Sequence, residues 1–340
     1  MTELAEAVLN GSRRALARLL TAVENESEGA QRALATLFPH TGNAWIIGVT
    51  GAPGTGKSSL VNMIAKTYRQ QDKTVAIVAV DPTSPFSGGA ILGDRIRMRD
   101  LSGDKGVFIR SMATRGSLGG LAQATRDIIR VLDAAKYDII LVETVGAGQS
   151  EVDIVRTAQT TLVVEAPGLG DDVQAIKAGI LEIADVLVVN KSDRPGADNT
   201  VRGLRAMLEL GHPTSRKQFV SHHGKMLEAE PTTHVESDTL SDIWLPPVIR
   251  TTATESPVGI DELLEAIKQH RAYLIANDKL GEMEYQRIQL ELYERIQHSL
   301  INKLFEVVPE NVLQDVVAQI QSRTLNPQQA VEQLVGQFVG

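Results

Sequence analysis

A run of nine residues, 51–59, combines three glycines with a lysine and two serines in the order GAPGTGKSS. It follows the apolar run Trp45–Val49 and precedes a helical pattern, which predicts a strand, a tight loop and a helix N-terminus. Glycines allow backbone N–H groups to surround an anion, and the helix dipole adds positive potential there. We therefore expect a phosphate-binding loop in which Lys57 reaches the β- and γ-phosphates and Ser58 offers its hydroxyl to Mg²⁺. The predicted nucleotide contacts at this end are Gly51, Ala52, Pro53, Gly54, Thr55, Gly56, Lys57, Ser58 and Ser59.

Carboxylates follow two later apolar runs, Asp81 after the second predicted strand and Glu143 at the end of the fourth. The carboxyl ends of parallel strands face the ligand crevice, so both are candidate Mg²⁺ ligands beside Ser58. Glu143 and Gly146 also resemble the D-x-x-G element of GTPases, in which the glycine N–H senses the γ-phosphate. The structural alternatives are a turn residue before Pro82 for the aspartate and a surface charge for the glutamate.

The run GGAILGDRIRMR, residues 88–99, surrounds Asp94 with three arginines. One interpretation is a mobile loop that brings Asp94 to Mg²⁺, and the other is a solvated loop.

Hydrolysis requires a water in line with the γ-phosphate and neutralisation of the developing charge. Many small GTPases carry glutamine directly after the D-x-x-G glycine, where this chain has Ala147. We therefore expect slow turnover that a partner accelerates. The candidates for completing the catalytic site beside Lys57 are Arg97, Gln149 and Lys177.

The sequence VLVVNKSD places N-K-x-D at the end of a buried strand. Asp193 can accept hydrogen bonds from N1–H and the 2-amino group of guanine, whereas adenine would leave the carboxylate unpaired. Lys191 can lie along the base, and Asn190 can connect the loops. The predicted contacts at this end are Asn190, Lys191 and Asp193, with the backbone N–H groups of Thr252, Ala253 and Thr254.

Seven short apolar runs alternate with helical stretches between residues 44 and 277. This alternation predicts an α/β fold, a doubly wound and mostly parallel sheet, with helical extensions at both ends. The predicted domains are a helical extension, 1–40, a nucleotide-binding domain, 41–277, and a helical arm, 278–340. An insertion at about 211–244 carries four histidines, whose spacing favours a solvated segment over a metal site. The predicted strands are Trp45–Val49, Val75–Val80, Val107–Ile109, Ile139–Val142, Thr161–Val164, Val186–Val189 and Val248–Thr251.

The amino-acid composition argues against several classes of protein and of functional site. The net charge of -8 does not favour binding to nucleic acid. The chain has no cysteine, which excludes disulfides, zinc–thiolate sites and cysteine nucleophiles. No run approaches the ~20 apolar residues of a membrane span, and the N-terminus lacks a signal-peptide pattern. We expect a cytoplasmic protein with no membrane partner.

Five motifs in order, GAPGTGKSS, VDPTSPFSGGAILGDRIRM, ETVGAGQSEVD, PGLGDDVQAIKAG and NKSD, resemble the MeaB/ArgK/MMAA family of P-loop GTPases. The resemblance implies a GTP- and Mg²⁺-dependent chaperone that gates adenosylcobalamin loading, protection and reactivation of an acyl-CoA mutase. Methylmalonyl-CoA mutase or a relative such as 2-hydroxyisobutyryl-CoA mutase would be the partner. It also implies a homodimer formed by the C-terminal helices, and it suggests a cobalamin adenosyltransferase as a second partner.

The resemblance further implies that Ser58, Asp81, Asp94 and Glu143 surround Mg²⁺. It implies an additional switch at 168–179, in which Asp171, Asp172 and Lys177 respond to the mutase; as a bare sequence, this segment is equally typical of a capped helix N-terminus.

Two other functions stay open on the sequence. One is a GTPase for metal-centre assembly of the hydrogenase or urease type, against which the absence of cysteine weighs. The other is a small-molecule kinase.

Overall fold

The computed structural model describes residues 1–82, 98, 100–101, 103–114, 120–144, 157–168, 183–210, 219–222, 225–228, 243–254 and 256–339. The strands are β1 (Trp45–Thr50), β2 (Val75–Pro82), β3 (Val107–Thr114), β4 (Ile139–Thr144), β5 (Thr160–Glu165), β6 (Val186–Val189), β7 (Phe219–His222), β8 (Lys225–Glu228) and β9 (Val248–Arg250). The helices are α1 (Thr2–Leu9), α2 (Arg13–Glu24), α3 (Ala30–Leu37), α4 (Lys57–Gln70), α5 (Gly120–Ala134), α6 (Ala197–Leu210), α7 (Ile260–Ala276), α8 (Lys279–Val307), α9 (Glu310–Gln321) and α10 (Pro327–Val339).

The strands of the main sheet are parallel and lie in the order β3-β2-β4-β1-β5-β6-β9. This confirms the predicted fold class and all seven predicted strands. Strand β1 lies at the centre, so the loop after it opens between the carboxyl ends of β4 and β5. Glu143 is aligned with Val49 of β1 on one side and Ala79 of β2 on the other.

Both faces of the sheet are buried, as near-continuous apolar strands predict. Alternate residues divide between two cores: Ala76 and Val78 pack with α1, α2, α3 and α5, whereas Val75 and Ile77 pack with α4 and α7. The three N-terminal helices therefore share a core with a sheet face. Their apolar residues recur at helical spacing because one stripe of each helix is buried there.

The chain divides into two compact units, one of residues 1–219 with 226–283 and the other of residues 220–225 with 284–340. The first contains the main sheet. In the second, helices carry many exposed apolar side chains, among them Tyr285, Ile288, Leu292, Ile296, Leu300 and Phe305. The predicted domain boundaries at 40/41 and 277/278 stay a prediction.

Helices alternate with strands of the main sheet, as the sequence predicts, and the C-terminal region contains α8, α9 and α10. Residues 145–156 and 169–182, and most of the insertion at 211–244, lie outside the described residues. Among the described helices, none combines the length and apolarity that crossing a membrane requires.

Candidate nucleotide-binding site

The loop after β1 depends on glycine at positions where no side chain fits. Gly51 has φ of 137°, and an added Cβ would lie 2.1 Å from the carbonyl oxygen of Val164 on β5. Gly56 has φ of 90°, and its added Cβ would lie 2.6 Å from Nδ2 of Asn190. Both residues are therefore fixed by conformation and by close packing. The loop is held against two neighbouring strand ends.

Lys57 begins α4 with its side chain turned into the loop. Its Nζ donates to the carbonyl oxygens of Gly51, at 2.7 Å, and Ala52, at 3.0 Å, and only 5% of the residue is exposed. The Thr55 hydroxyl also donates to Ala52, at 2.9 Å. A buried ammonium at a helix N-terminus gives this loop the positive potential that a polyphosphate requires.

Ser58 and Glu143 meet below the loop. The Ser58 hydroxyl donates to Oε1 of Glu143 at 2.6 Å, and both residues are buried. A hydroxyl and a carboxylate brought together at the first turn of α4 form an oxygen donor set suited to a hard divalent cation. The described part of the predicted Mg²⁺ set therefore fits Mg²⁺. Asp81 stands at the carboxyl end of β2 and is described in its backbone only.

Asn190 connects three loops. Its Nδ2 donates to the carbonyl oxygen of Thr55 at 2.8 Å, and its Oδ1 accepts from the Thr251 hydroxyl at 3.2 Å. Its backbone N–H donates to the carbonyl oxygen of Glu165 at 2.8 Å. Asn190 is 1% exposed, so these bonds are made without competition from water. The base end of the site is thereby joined to the phosphate-binding loop.

Lys191 and Asp193 extend the site beyond Asn190. The residue Lys191 has φ of 56°, and its Nζ donates to the carbonyl oxygen of Gly54 at 2.6 Å. Asp193 is exposed and receives a long hydrogen bond, 3.5 Å, from the hydroxyl of Thr252. The same hydroxyl lies 3.1 Å from that of Ser192. Thr252 thus orients the carboxylate that is predicted to contact the base.

One predicted backbone contact is corrected. The N–H of Thr252 donates to the carbonyl oxygen of Val258 at 3.0 Å, and the Val258 N–H returns a bond at 3.2 Å. This pairing closes a short loop and uses the Thr252 donor within the protein. The predicted base contacts of Ala253 and Thr254, at the tip of that loop, stay predictions.

Sequence reasoning missed two residues of the base end. Thr251 is fully buried and orients the amide of Asn190. Gly259 has φ of 74°, and its added Cβ would lie 1.8 Å from the carbonyl oxygen of Arg250, so glycine is required where α7 leaves the site. Local sequence gives no signal for the Thr251 contact, because its partner is 61 residues away.

Helix α4 also holds the segment that precedes β3. Asp100 pairs with Lys66 and accepts from Asn62 at 3.3 Å, and Asp104 pairs with Arg69 at 3.0 Å. The hydrogen bond from Lys66 is the main cause that lowers the pKa of Asp100, and the one from Arg69 does the same for the pKa of Asp104. We call these five residues the α4 ladder. They fix Asp100 and Asp104 to the helix that starts at Lys57.

Several predicted residues lie outside the described part of the chain, and their roles stay predictions. They are Asp94, Arg97, Gly146, Gln149, Asp171, Asp172 and Lys177. The remaining predicted contacts, Pro53 and Ser59, are exposed on the loop and the first turn of α4.

Comparison with known proteins decides the family. Residues 16–308 match the family described as methylmalonyl-CoA mutase-associated GTPase MeaB. The chain belongs to this family. It is also 34% identical to the GTPase ArgK of Escherichia coli over 330 residues, covering 95% of this chain and 92% of that protein.

Two further similarities agree. A candidate GTPase of Pyrococcus abyssi is 44% identical over 339 residues, covering 99% of this chain and 97% of that protein. The crystal structure of a LAO/AO transport system kinase superposes with a TM-score of 0.70 at 26% identity, covering 100% of this chain and 97% of the other. The protein is accordingly a MeaB/ArgK-family GTPase that binds GTP, and its family is associated with methylmalonyl-CoA mutase.

Proposed function

We propose that this GTPase is a chaperone of an adenosylcobalamin-dependent acyl-CoA mutase, either methylmalonyl-CoA mutase or a relative. Its GTP cycle would gate loading of the cofactor and protect or reactivate the mutase. The observation that carries the proposal is the family match over residues 16–308, joined to a site in which phosphate-binding and base-binding loops are physically connected. A mouse relative, the methylmalonic aciduria type A homolog, mitochondrial, is 33% identical over 255 residues, which supports the same assignment.

At the phosphate end, Lys57 would stabilise the charge that develops on the β- and γ-phosphates, and backbone N–H groups of residues 54–58 would hold the remaining oxygens. Ser58 and Glu143 would hold Mg²⁺, together with Asp81 and Asp94. Bound Mg²⁺ would neutralise phosphate charge. The loop that already surrounds the Lys57 ammonium supports this arrangement, because GTP oxygens can replace the carbonyl oxygens of Gly51 and Ala52 as its partners.

At the base end, Asp193 would accept the two guanine donors and Lys191 would cover the ring. Residue Asn190 would maintain the distance between the two ends. Binding of GTP over ATP would follow, because adenine offers Asp193 an acceptor where guanine has a donor.

Arg97, Gln149 and Lys177 remain the proposed groups for completing the hydrolytic site. The absence of glutamine directly after Gly146 supports slow turnover alone and acceleration by the mutase. Residues 168–179 would sense the mutase through Asp171 and Asp172, and a cobalamin adenosyltransferase would be the second partner.

The test measures GTP turnover with and without purified methylmalonyl-CoA mutase carrying adenosylcobalamin. We expect at least about tenfold acceleration by the mutase. Lys57→Ala is the control, since it should remove turnover in both conditions. No acceleration by any acyl-CoA mutase, with intact basal GTPase activity, would refute the chaperone proposal. Co-purification of a stoichiometric transition metal and a metalloenzyme would favour the metal-centre assembly alternative.

We also propose a homodimer formed by the C-terminal helices. Four exposed apolar residues of α8, namely Tyr285, Ile288, Leu292 and Ile296, follow each other at spacings of three and four, which places them on one helix face. A second copy would cover this face. Leu292→Glu should shift the protein from dimer to monomer in analytical ultracentrifugation, whereas Gln297→Glu, which adds the same charge at an exposed polar position, should not. A monomeric parent protein would contradict the proposal.

A further inference from the structure

A buried histidine lies at the end of the sheet opposite to the nucleotide loops. His270, on α7, is 2% exposed. It contacts residues at the amino ends of strands whose carboxyl ends lead to the site: Thr160 is the first residue of β5, and Asp185 directly precedes β6. Trp45, the first residue of β1, contacts Thr160. We call these four residues the His270 cluster.

The hydrogen bonds of the His270 cluster form a chain with an assignable direction. The indole N–H of Trp45 can only donate, and it lies 3.1 Å from the Thr160 hydroxyl. That hydroxyl lies 3.0 Å from Nδ1 of His270, so it can donate its hydrogen there. Nε2 of His270 then carries the proton and faces Oδ1 of Asp185 at 3.4 Å. Asp185 Oδ2 accepts the backbone N–H of Thr161 at 2.8 Å.

This chain has the residue types of a hydrolytic triad but cannot act as one. The Thr160 side chain is 0% exposed, so no substrate carbonyl can reach its hydroxyl. Burial of four polar groups is stabilising only if all are paired. The consequence is a fixed spacing between β1, β5, β6 and α7 at this end of the sheet.

The same elements are connected again at the nucleotide end. Asn190 follows β6 and bonds to Glu165 of β5 and to Thr55 of the loop after β1. Helix α7 begins after Gly259, which is packed against Arg250 of β9. From Asp185 to Asn190 five strand steps span about 16 Å, and from Ile260 to His270 ten helical steps span about 15 Å. The strand segment and the helix segment that connect the two ends of the sheet therefore have similar lengths.

We propose that His270 is a positioning residue for guanine recognition: its hydrogen-bonded cluster sets the height of β6, and thereby the distance of Asn190 and Asp193 from the phosphate-binding loop. This rests on the proposed contact between Asp193 and guanine. The Ser58–Glu143 pair lies on α4 and β4, which contribute no residue to the cluster, so we expect a smaller effect on the chemistry at the γ-phosphate than on guanine binding.

The test is Thr160→Val, which keeps the shape of the side chain and removes the hydroxyl. Because Asp193 would be displaced while Lys57 and Ser58 stay in place, the KM for GTP should rise about tenfold and kcat should change less than about twofold. Thr160→Ser keeps the hydroxyl and should restore the KM. Thr125→Val is the matched control, since Thr125 is also buried and its hydroxyl lies 3.9 Å from the Met112 sulfur, away from the His270 cluster; it should leave the KM unchanged.

Further variants distinguish a wrong inference from a variant that does not fold and from a wrong assignment of the guanine site. His270→Gln keeps a donor toward Asp185 and removes the acceptor for Thr160, so it replaces Thr160→Val if that variant does not fold. The protein has two tryptophans, Trp45 within the cluster and Trp244, whose ring is tilted against that of His270 with centroids 4.9 Å apart, so both report on the cluster by fluorescence. An unchanged KM in Thr160→Val and His270→Gln, or Thr160→Ser behaving as Thr160→Val does, overturns the inference. Asp193→Asn without effect on the KM for GTP overturns the guanine site instead.

Discussion

The phosphate end and the base end of the site are built by different means. At the phosphate end, consecutive residues supply the geometry: glycine conformations at 51 and 56 shape the loop, and Lys57 folds back onto it. At the base end, side chains distant in sequence supply it, because Asn190 is oriented by Thr251 and bonds to Thr55. A single added Cβ therefore disrupts the loop at the phosphate end, whereas a substitution at the base end removes individual hydrogen bonds.

The comparison predicts the largest effect at Gly51. Gly51→Ala adds a Cβ at 2.1 Å from the Val164 carbonyl at a φ of 137°, and should lower the free energy of unfolding by about 3 kcal/mol or more and abolish GTP binding. Gly42→Ala is the matched control: φ is 93°, no atom lies within 4 Å of the added Cβ, and the cost should stay at about 1–2 kcal/mol with GTP binding intact. Urea unfolding and calorimetric GTP titration measure both. Equal losses in the two variants would show that overlap with Val164 does not matter.

Asn190→Ala should have the next largest effect. It removes the bonds to Thr55 and Thr251 and leaves a buried carbonyl and a buried hydroxyl without those partners, which costs about 1–3 kcal/mol for each. The KM for GTP should therefore rise roughly 100-fold. The exposed Asn199 serves as a control, and Asn199→Ala should leave the KM as it is. A rise below about threefold in Asn190→Ala would mean that the two ends of the site are positioned independently.

These differences explain what could be predicted from the sequence. The phosphate-binding loop, N-K-x-D and all seven strands are encoded in short runs, and the apolar runs are continuous because helices cover both sheet faces. The contacts of Thr251 and the use of the Thr252 N–H by Val258 were not predictable, since they depend on how β9 and the loop after it meet β6. The His270 cluster was missed for the same reason, because its hydrogen-bonded partners are far apart in the sequence. Trp45 and Thr160 are separated by 115 residues, and Thr160 and His270 by 110.

A smaller effect is expected at Thr252, whose hydroxyl makes one long hydrogen bond to Asp193. Thr252→Val removes the hydroxyl that lies 3.5 Å from Asp193 and 3.1 Å from Ser192, but keeps the backbone pairing with Val258. The ratio of KM for ATP to KM for GTP should fall about three- to tenfold, because the carboxylate is less well oriented toward guanine. Thr252→Ser should preserve the ratio. If Thr252→Val keeps the selectivity of the parent protein, the Thr252 hydroxyl does not orient Asp193.

The smallest effect lies outside both ends, in the α4 ladder. The Arg69 hydrogen bond lowers the pKa of Asp104, so the pairing stabilises the fold above the unfolded pKa of about 3.9 and is lost as the pH falls through the lower folded pKa. Asp104→Asn keeps an acceptor for Gly106 but removes the charge. Partly exposed ion pairs contribute about 0.2–1 kcal/mol, so the difference in unfolding free energy between the parent and Asp104→Asn should be of that size at about pH 6 and should disappear below about pH 3. Urea unfolding between these pH values measures it, with Asp72→Asn, an exposed carboxylate outside the ladder, as the control. A difference that grows toward acid would contradict the direction of the pKa shift and the stabilising role of the pairing between Asp104 and Arg69.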